Sequence, residues 1–181
     1  MLNIRKIHHV AYRCLDAKQT VEWYRKHLDM EFVLAIAEDH VPSTHAADPY
    51  MHLFMDAGGG NILAFFELPN SPEMGRDPNT PEWVQHIALE VESMEVLEAA
   101  KLRLEAAGIP VLGITDHTIF KSIYFFDPNG HRLELVANTA TPEMMKQLDD
   151  VKWDMLEEWS KTKRAPKHAA WMHEKELTAS V

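Results

Sequence analysis

Two pairs of segments in this chain carry histidine and glutamate in matching surroundings. Val84-Gln85-His86-Ile87-Ala88-Leu89-Glu90-Val91 echoes Ile7-His8-His9-Val10-Ala11-Tyr12-Arg13-Cys14, and Phe66-Glu67-Leu68 echoes Leu133-Glu134-Leu135. Each half opens with a histidine on a strand-like run and closes with a glutamate on another. Imidazole nitrogen and carboxylate oxygen are donors that divalent Fe, Mn, Co, Ni and Zn accept. His9, Glu67, His86 and Glu134 are therefore four candidate metal ligands, and a metalloenzyme acting on a small molecule is the leading expectation. A lone strand histidine is more often packed or solvated than ligating. The equivalent places of His9 and His86 in a repeat favour ligation. Glu67 stands beside a proline-rich stretch, where plain solvation competes.

The elements that must position these groups follow from the pattern. Ile7–Cys14 alternates, with His9, Ala11 and Arg13 on one side and Val10, Tyr12 and Cys14 on the other. Asp16 is a helix N-cap, and Val21, Trp23, Tyr24, His27 and Leu28 carry helical spacing as far as Asp29. A strand at Phe32–Ala37 precedes a polar loop, 38–47, that contains His40 and His45. Strands at Tyr50–Asp56 and Asn61–Leu68 flank Gly58-Gly59-Gly60 as a hairpin. His40, His45 and His52 either line a pocket or are polar surface.

The stretch 69–83, with four prolines in 69–82, reads as a linker. The pattern then restarts: a strand at Val84–Val91, a helix at Met94–Ala107 with Val96, Leu97, Ala100 and Leu104 as its apolar stripe, and Gly108 as its stop. Strands follow near Pro110–Gly113, Phe120–Phe126 and Arg132–Ala137. The order is βαβββ, twice. The fold expected is α+β: modules 1–68 and 84–138 form a cupped mixed sheet around a metal site, within one domain spanning 1–138. Residues 139–181 make a helical extension. Thr141-Pro142 starts its helix, and Leu148, Val151, Met155 and Trp159 give it an apolar stripe. That stripe could dock on the chain's own sheet, cover the site or pack against a second subunit, and a homodimer is the expectation.

The candidate ligands each have apolar neighbours that would point toward the helices, leaving the ligands on the inner face. In Arg132–Val136, Leu133 and Leu135 take the outer face and leave Glu134 inside. The hairpin Asp127-Pro128-Asn129-Gly130-His131 sets the register of its strand. Gly130 suits the left-handed residue of a three-residue loop with a bulge, which places Tyr124 opposite Glu134 on the inner face. Tyr124 is thus either a site residue or a core tyrosine with a satisfied hydroxyl.

Bulk properties narrow the partners. The chain has 181 residues, a hydrophobic fraction of 46% and a net charge of −10, which disfavours nucleic acid and anionic membrane surfaces. One cysteine, Cys14, excludes an intramolecular disulfide framework and fits a reducing compartment. The start has no apolar h-region and no stretch approaches membrane-spanning length, so the expected location is the cytoplasm.

These residues resemble the vicinal oxygen chelate superfamily, the glyoxalase, bleomycin-resistance and extradiol dioxygenase group, over about residues 5–138. The resemblance rests on His-Val-Ala near the start, on Tyr24-Arg25-Lys26-His27-Leu28-Asp29-Met30, on His86-Ile87-Ala88, and on Phe126-Asp127-Pro128-Asn129-Gly130 leading to Glu134. Thr115-Asp116-His117 followed by Ile123-Tyr124 is similar to the extradiol ring-cleavage signature. The resemblance implies His9, His86 and Glu134 as a two-histidine, one-carboxylate triad for Fe(II). It implies Tyr124 as hydrogen-bonding a substrate oxygen and His117 as contacting a catechol-like substrate. Dioxygenases of that type also carry an acid/base histidine near Asn61–Phe65, where this chain has Asn61 and no histidine. Glu67 matches the carboxylate ligand of glyoxalase-type lyases, and by that likeness it is a fourth ligand or a base in a lyase or isomerase using Ni, Co, Zn or Mn. A metal-free drug-binding module is the third reading. Phe54, Phe65 and Phe120 permit an aromatic ligand.

Overall fold

The structure, a computed structural model, describes residues 2–172. It is α+β: two βαβββ modules build two four-stranded mixed sheets, followed by a C-terminal helix. The first module comprises β1 (Val10–Cys14), α1 (Ala17–Leu28), β2 (Phe32–Glu38), β3 (Tyr50–Asp56) and β4 (Ile62–Glu67). The second comprises β5 (Ile87–Glu90), α2 (Met94–Ala106), β6 (Leu112–Asp116), β7 (Phe120–Phe126) and β8 (Arg132–Asn138). Helix α3 (Pro142–Thr162) and a 3-10 turn, Lys167–Met172, follow. The chain divides into two compact units, Met1–Ile87 with Phe125–Leu133, and Ala88–Tyr124 with Glu134–Val181.

In the first unit the strand order is β1-β4-β3-β2, with β1 parallel to β4 and the other pairs antiparallel. Opposed residues share a face of the sheet. Leu53 faces Phe65, and Met55 faces Leu63; all four are buried and form the core with Tyr24 and Thr20 of α1. Helix α1 begins where Asp16 accepts a hydrogen bond from the Gln19 N–H at 2.7 Å, and it ends at Asp29 with φ 54°. Buried Asp127 ties the 125–133 segment to this helix: the Tyr24 hydroxyl donates to its Oδ2 at 3.0 Å, and the N–H groups of Asn129 and His131 donate to its Oδ1.

The second sheet has the order β5-β8-β7-β6, with β6 antiparallel to β7. Ser93 caps α2, whose Leu97 and Leu104 are buried, whereas Val96 of the expected stripe is exposed. The β6–β7 ladder shifts register between Gly113 and Thr115. Gly113 has φ 114°, and a Cβ there would lie 2.6 Å from the Ser122 carbonyl oxygen, so only glycine fits. This bulge and Pro110 move the strand to Leu112–Asp116 from the expected 110–113.

Other boundaries also moved. β1 starts at Val10 instead of Ile7, because its ladder with β4 begins at Leu63. β5 starts at Ile87 instead of Val84, because the Val84 N–H is spent in a turn to Pro81. His9 and His86 thereby become the residues immediately ahead of the first strand of each module. Among the described residues, no helix is long and apolar enough to cross a membrane.

Candidate functional site

The two central hairpins are closed in the same way. The Ala57 N–H donates to the Asn61 oxygen at 3.0 Å in β3–β4, and the Asp127 N–H donates to the His131 oxygen at 3.0 Å in β7–β8. Counting outward from these bonds, β3–β4 opposes Phe54 to Ala64, and β7–β8 opposes Tyr124 to Glu134. Gly130 has φ +82° and its N–H donates to Asp127, the three-residue loop expected of this turn. Burial follows the same count: Leu53, Met55, Leu63 and Phe65 in the first hairpin correspond to Ile123, Phe125, Leu133 and Leu135 in the second, and all are buried.

This register corrects the apparent repeat of glutamates. The structural counterpart of Glu134 is Ala64, and Glu67 stands three residues further along, opposite Met51 and Cys14. Glu67 shares the α1 side of the sheet with Phe65 and Leu63, while His9, by the alternation of β1, lies on the side of Ala11, Ala64 and Phe66. The Glu67 carboxylate is already engaged: its Oε2 accepts the Ala17 N–H at 2.6 Å, in the first turn of α1 where the helix favours an anion. The expectation that Glu67 and His9 share an inner face therefore fails locally, because the sequence echo Phe66-Glu67-Leu68 is one pleat out of phase.

His9 is exposed, and its Nδ1 lies 2.8 Å from the Nδ1 of His8, one ring donating to the other. Its ring packs edge-on against His52 at 6.0 Å and Phe54 at 5.9 Å between centroids. His52 in turn stacks on Phe66 at 3.6 Å with an interplanar angle of 17°. Burial, and secondarily His9, hold the His52 imidazole below its ordinary pKa and so favour its neutral form. Sequence reasoning left His52 undecided between pocket and surface. The signal that places it was present, since Leu53 and Met55 on the core side put His52 and Phe54 on the other.

His86 borders a cavity of about 670 Å³ in the first unit, lined also by Tyr12, Tyr24, Phe65, Arg76 and His131. Arg76 closes one side, donating to Glu82 at 2.6 Å and to the Gly130 carbonyl at 2.5 Å, with its guanidinium 4.8 Å from the Phe126 ring centre. Glu67 borders a smaller cavity of about 380 Å³ with Glu38, Asp39 and Tyr50. In the second unit Glu134 is only 3% exposed, and the Nε2 of His117 lies 2.8 Å from the Tyr124 hydroxyl. The structure thus brings His117 to Tyr124 and His9 to His8 and His52. Among the described residues no three His, Cys, Asp or Glu side chains form a group able to hold a metal. Asn61 lies in the β3–β4 loop, its Nδ2 donating to Gly58. Phe120 packs on His117 at 4.8 Å.

Residues 6–135 match the family model of the Glyoxalase/Bleomycin resistance protein/Dioxygenase superfamily, and the chain belongs to that superfamily. Its members are mostly enzymes, typically dependent on divalent metals. The chain is 28% identical over 140 residues to a Bacillus subtilis (strain 168) protein named as a ring-cleaving dioxygenase, MhqA; the match covers 76% of this chain and 42% of that one. The chain thus spans about two fifths of that relative's length. It is 26% identical over 163 residues to a 2-epi-5-epi-valiolone epimerase of Actinomyces sp, covering 79% of this chain and 85% of the epimerase. Among solved structures, a glyoxalase family protein from Enterococcus faecalis matches with a TM-score of 0.52 and 28% identity, covering 73% of this chain and 97% of that chain.

Proposed function

We propose that this chain is a divalent-metal-dependent dioxygenase of the extradiol type, opening a catechol-like ring with Fe(II) held by His9, His86 and Glu134. The observation that carries the reading is the inequality of the hairpins: Tyr124 opposes Glu134 in one, whereas Phe54 opposes Ala64 in the other. One carboxylate, not two, then joins the two histidines. Such a donor set leaves open positions on the metal for both a substrate and dioxygen. The residues fit a divalent cation chemically. His9 and His86 hold equivalent places ahead of β1 and β5, and with Glu134 they offer the imidazole and carboxylate donors that such a cation takes.

Held by His9, His86 and Glu134, a divalent iron would supply Lewis-acid and redox chemistry toward a catechol and dioxygen. Tyr124 and His117 would handle the proton. At 2.8 Å the hydroxyl can donate to a neutral imidazole, or an imidazole N–H can donate to the phenolic oxygen, so the pair can present or withdraw a proton at one substrate oxygen. Neutral His52, stacked on Phe66 and tilted against Phe54, would supply an aromatic wall beside His9.

A lyase or epimerase is the second reading, supported by the similarity to the valiolone epimerase along most of that protein's length. There Glu67 would be a fourth ligand or a base, and its carboxylate would first have to leave the Ala17 N–H. The test of the triad is metal content: Glu134→Gln and His86→Ala should each lower Fe(II) or Mn(II) affinity by about 100-fold or more while the far-ultraviolet circular dichroism stays that of the parent. Full metal loading in both variants would overturn the assignment.

A further inference from the structure

Helix α3 has no buried residue along its length. Met144, Leu148, Val151 and Met155 are half-buried, but Met145, Trp153, Leu156 and Trp159 are 50%, 70%, 56% and 47% exposed. Met145, Asp149, Lys152, Leu156 and Trp159 recur at spacings of four, three, four and three, the seam of a two-helix coiled pairing. The seam is apolar at its ends and charged in its middle, where Asp149 and Lys152 form an ion pair within the helix.

The arrangement is self-complementary in one direction only. If two copies of α3 lie antiparallel about a two-fold axis passing between Asp150 and Val151, Met145 meets the partner's Leu156 and Asp149 meets the partner's Lys152. The same contacts repeat by symmetry, as an isologous interface requires. In a parallel, in-register pair, Asp149 would face the partner's Asp149 and Lys152 the partner's Lys152, which like-charge repulsion disfavours. A polar pair at the centre of a seam fixes orientation and register at some cost in affinity. We propose that α3 is the dimerisation element of this protein, pairing antiparallel with α3 of a second copy. The net charge of −10 opposes self-association at low ionic strength, so pairing should strengthen as salt rises to physiological levels.

The test is sedimentation equilibrium on the full chain from about 1 to about 200 μM, the range a modest interface requires. The parent should dimerise. Leu156→Glu and Asp149→Lys should each raise the dimer dissociation constant by about tenfold or more, and the swap Asp149→Lys with Lys152→Asp should bring it back to within about threefold of the parent. Circular dichroism should remain unchanged, because the substituted side chains face solvent. Should Leu156→Glu misfold, the charge swap decides alone. A parent that stays monomeric throughout this range, with α3 covered by its own chain, would overturn the proposal. So would single variants that dimerise as tightly as the parent, or a swap no tighter than Asp149→Lys.

Discussion

Ala64 and Glu134 occupy the same position in the two central hairpins, and only the second position carries a carboxylate. Glu67, which the sequence pairs with Glu134, instead sits beyond Ala64 with its Oε2 2.6 Å from the Ala17 amide. Its first role is therefore at the start of α1. Glu67→Gln keeps an oxygen acceptor but loses the charge beside the helix N-terminus, which should cost about 0.3–1 kcal/mol of stability. Metal affinity should stay within about tenfold of the parent, measured by titration calorimetry. A loss of 100-fold or more would restore the four-ligand lyase reading.

Tyr124→Phe and His117→Gln break the 2.8 Å bond between these side chains. Each should cost about 0.5–1.5 kcal/mol in stability. Each should also lower kcat/KM by about 100-fold with metal content unchanged, because positioned proton transfer contributes at that scale. Steady-state kinetics on metal-loaded protein checks this, and unaltered turnover in both variants would remove the pair from the mechanism.

Burial, chiefly, pushes the Cys14 thiol up to about 11, and the Tyr24 hydroxyl is raised well above its ordinary value by burial and by Asp127. Both groups hold their protons more tightly in the folded chain. The stabilisation is complete below about pH 9, where the unfolded thiol is still protonated, and is lost as pH rises toward 11. For Cys14 the loss amounts to about 2–3 kcal/mol. Thermal melts should fall steeply above pH 9, and Cys14→Ala should flatten the first part of that fall. An equally steep fall in Cys14→Ala would assign it to other groups.

Gly113→Ala should destabilise the second module by about 2 kcal/mol or more, since its Cβ would meet the Ser122 carbonyl at 2.6 Å and its φ of 114° disfavours any side chain. Denaturant unfolding gives the number. A change under about 0.5 kcal/mol would mean that β6 can move away at little cost.

The doubled βαβββ order was legible because each module repeats the same pattern: a strand opened by a histidine, a helix that stops at Asp29 or Gly108, and a glycine-bearing hairpin. The register of Tyr124 against Glu134 followed from Gly130 alone. The place of Glu67 did not, because a local Phe-Glu-Leu match says nothing about which pleat it falls on; Ala64 has no chemistry to mark it. The N-terminal limits of β1 and β5 were hidden for a similar reason, as ladder partners far along the chain set them. The tail stripe was visible as apolar spacing, but which side chains of the helix stay exposed emerged only from the fold.

The most direct measurement of the central claim is oxygen uptake by the chain loaded anaerobically with Fe(II) and offered a panel of catechols. Uptake dependent on one of them, with a yellow ring-fission product and loss of activity in Glu134→Gln, is the predicted result. A protein that binds one metal per chain yet consumes no oxygen with any catechol would contradict it and move the chain to the lyase and epimerase side of the superfamily.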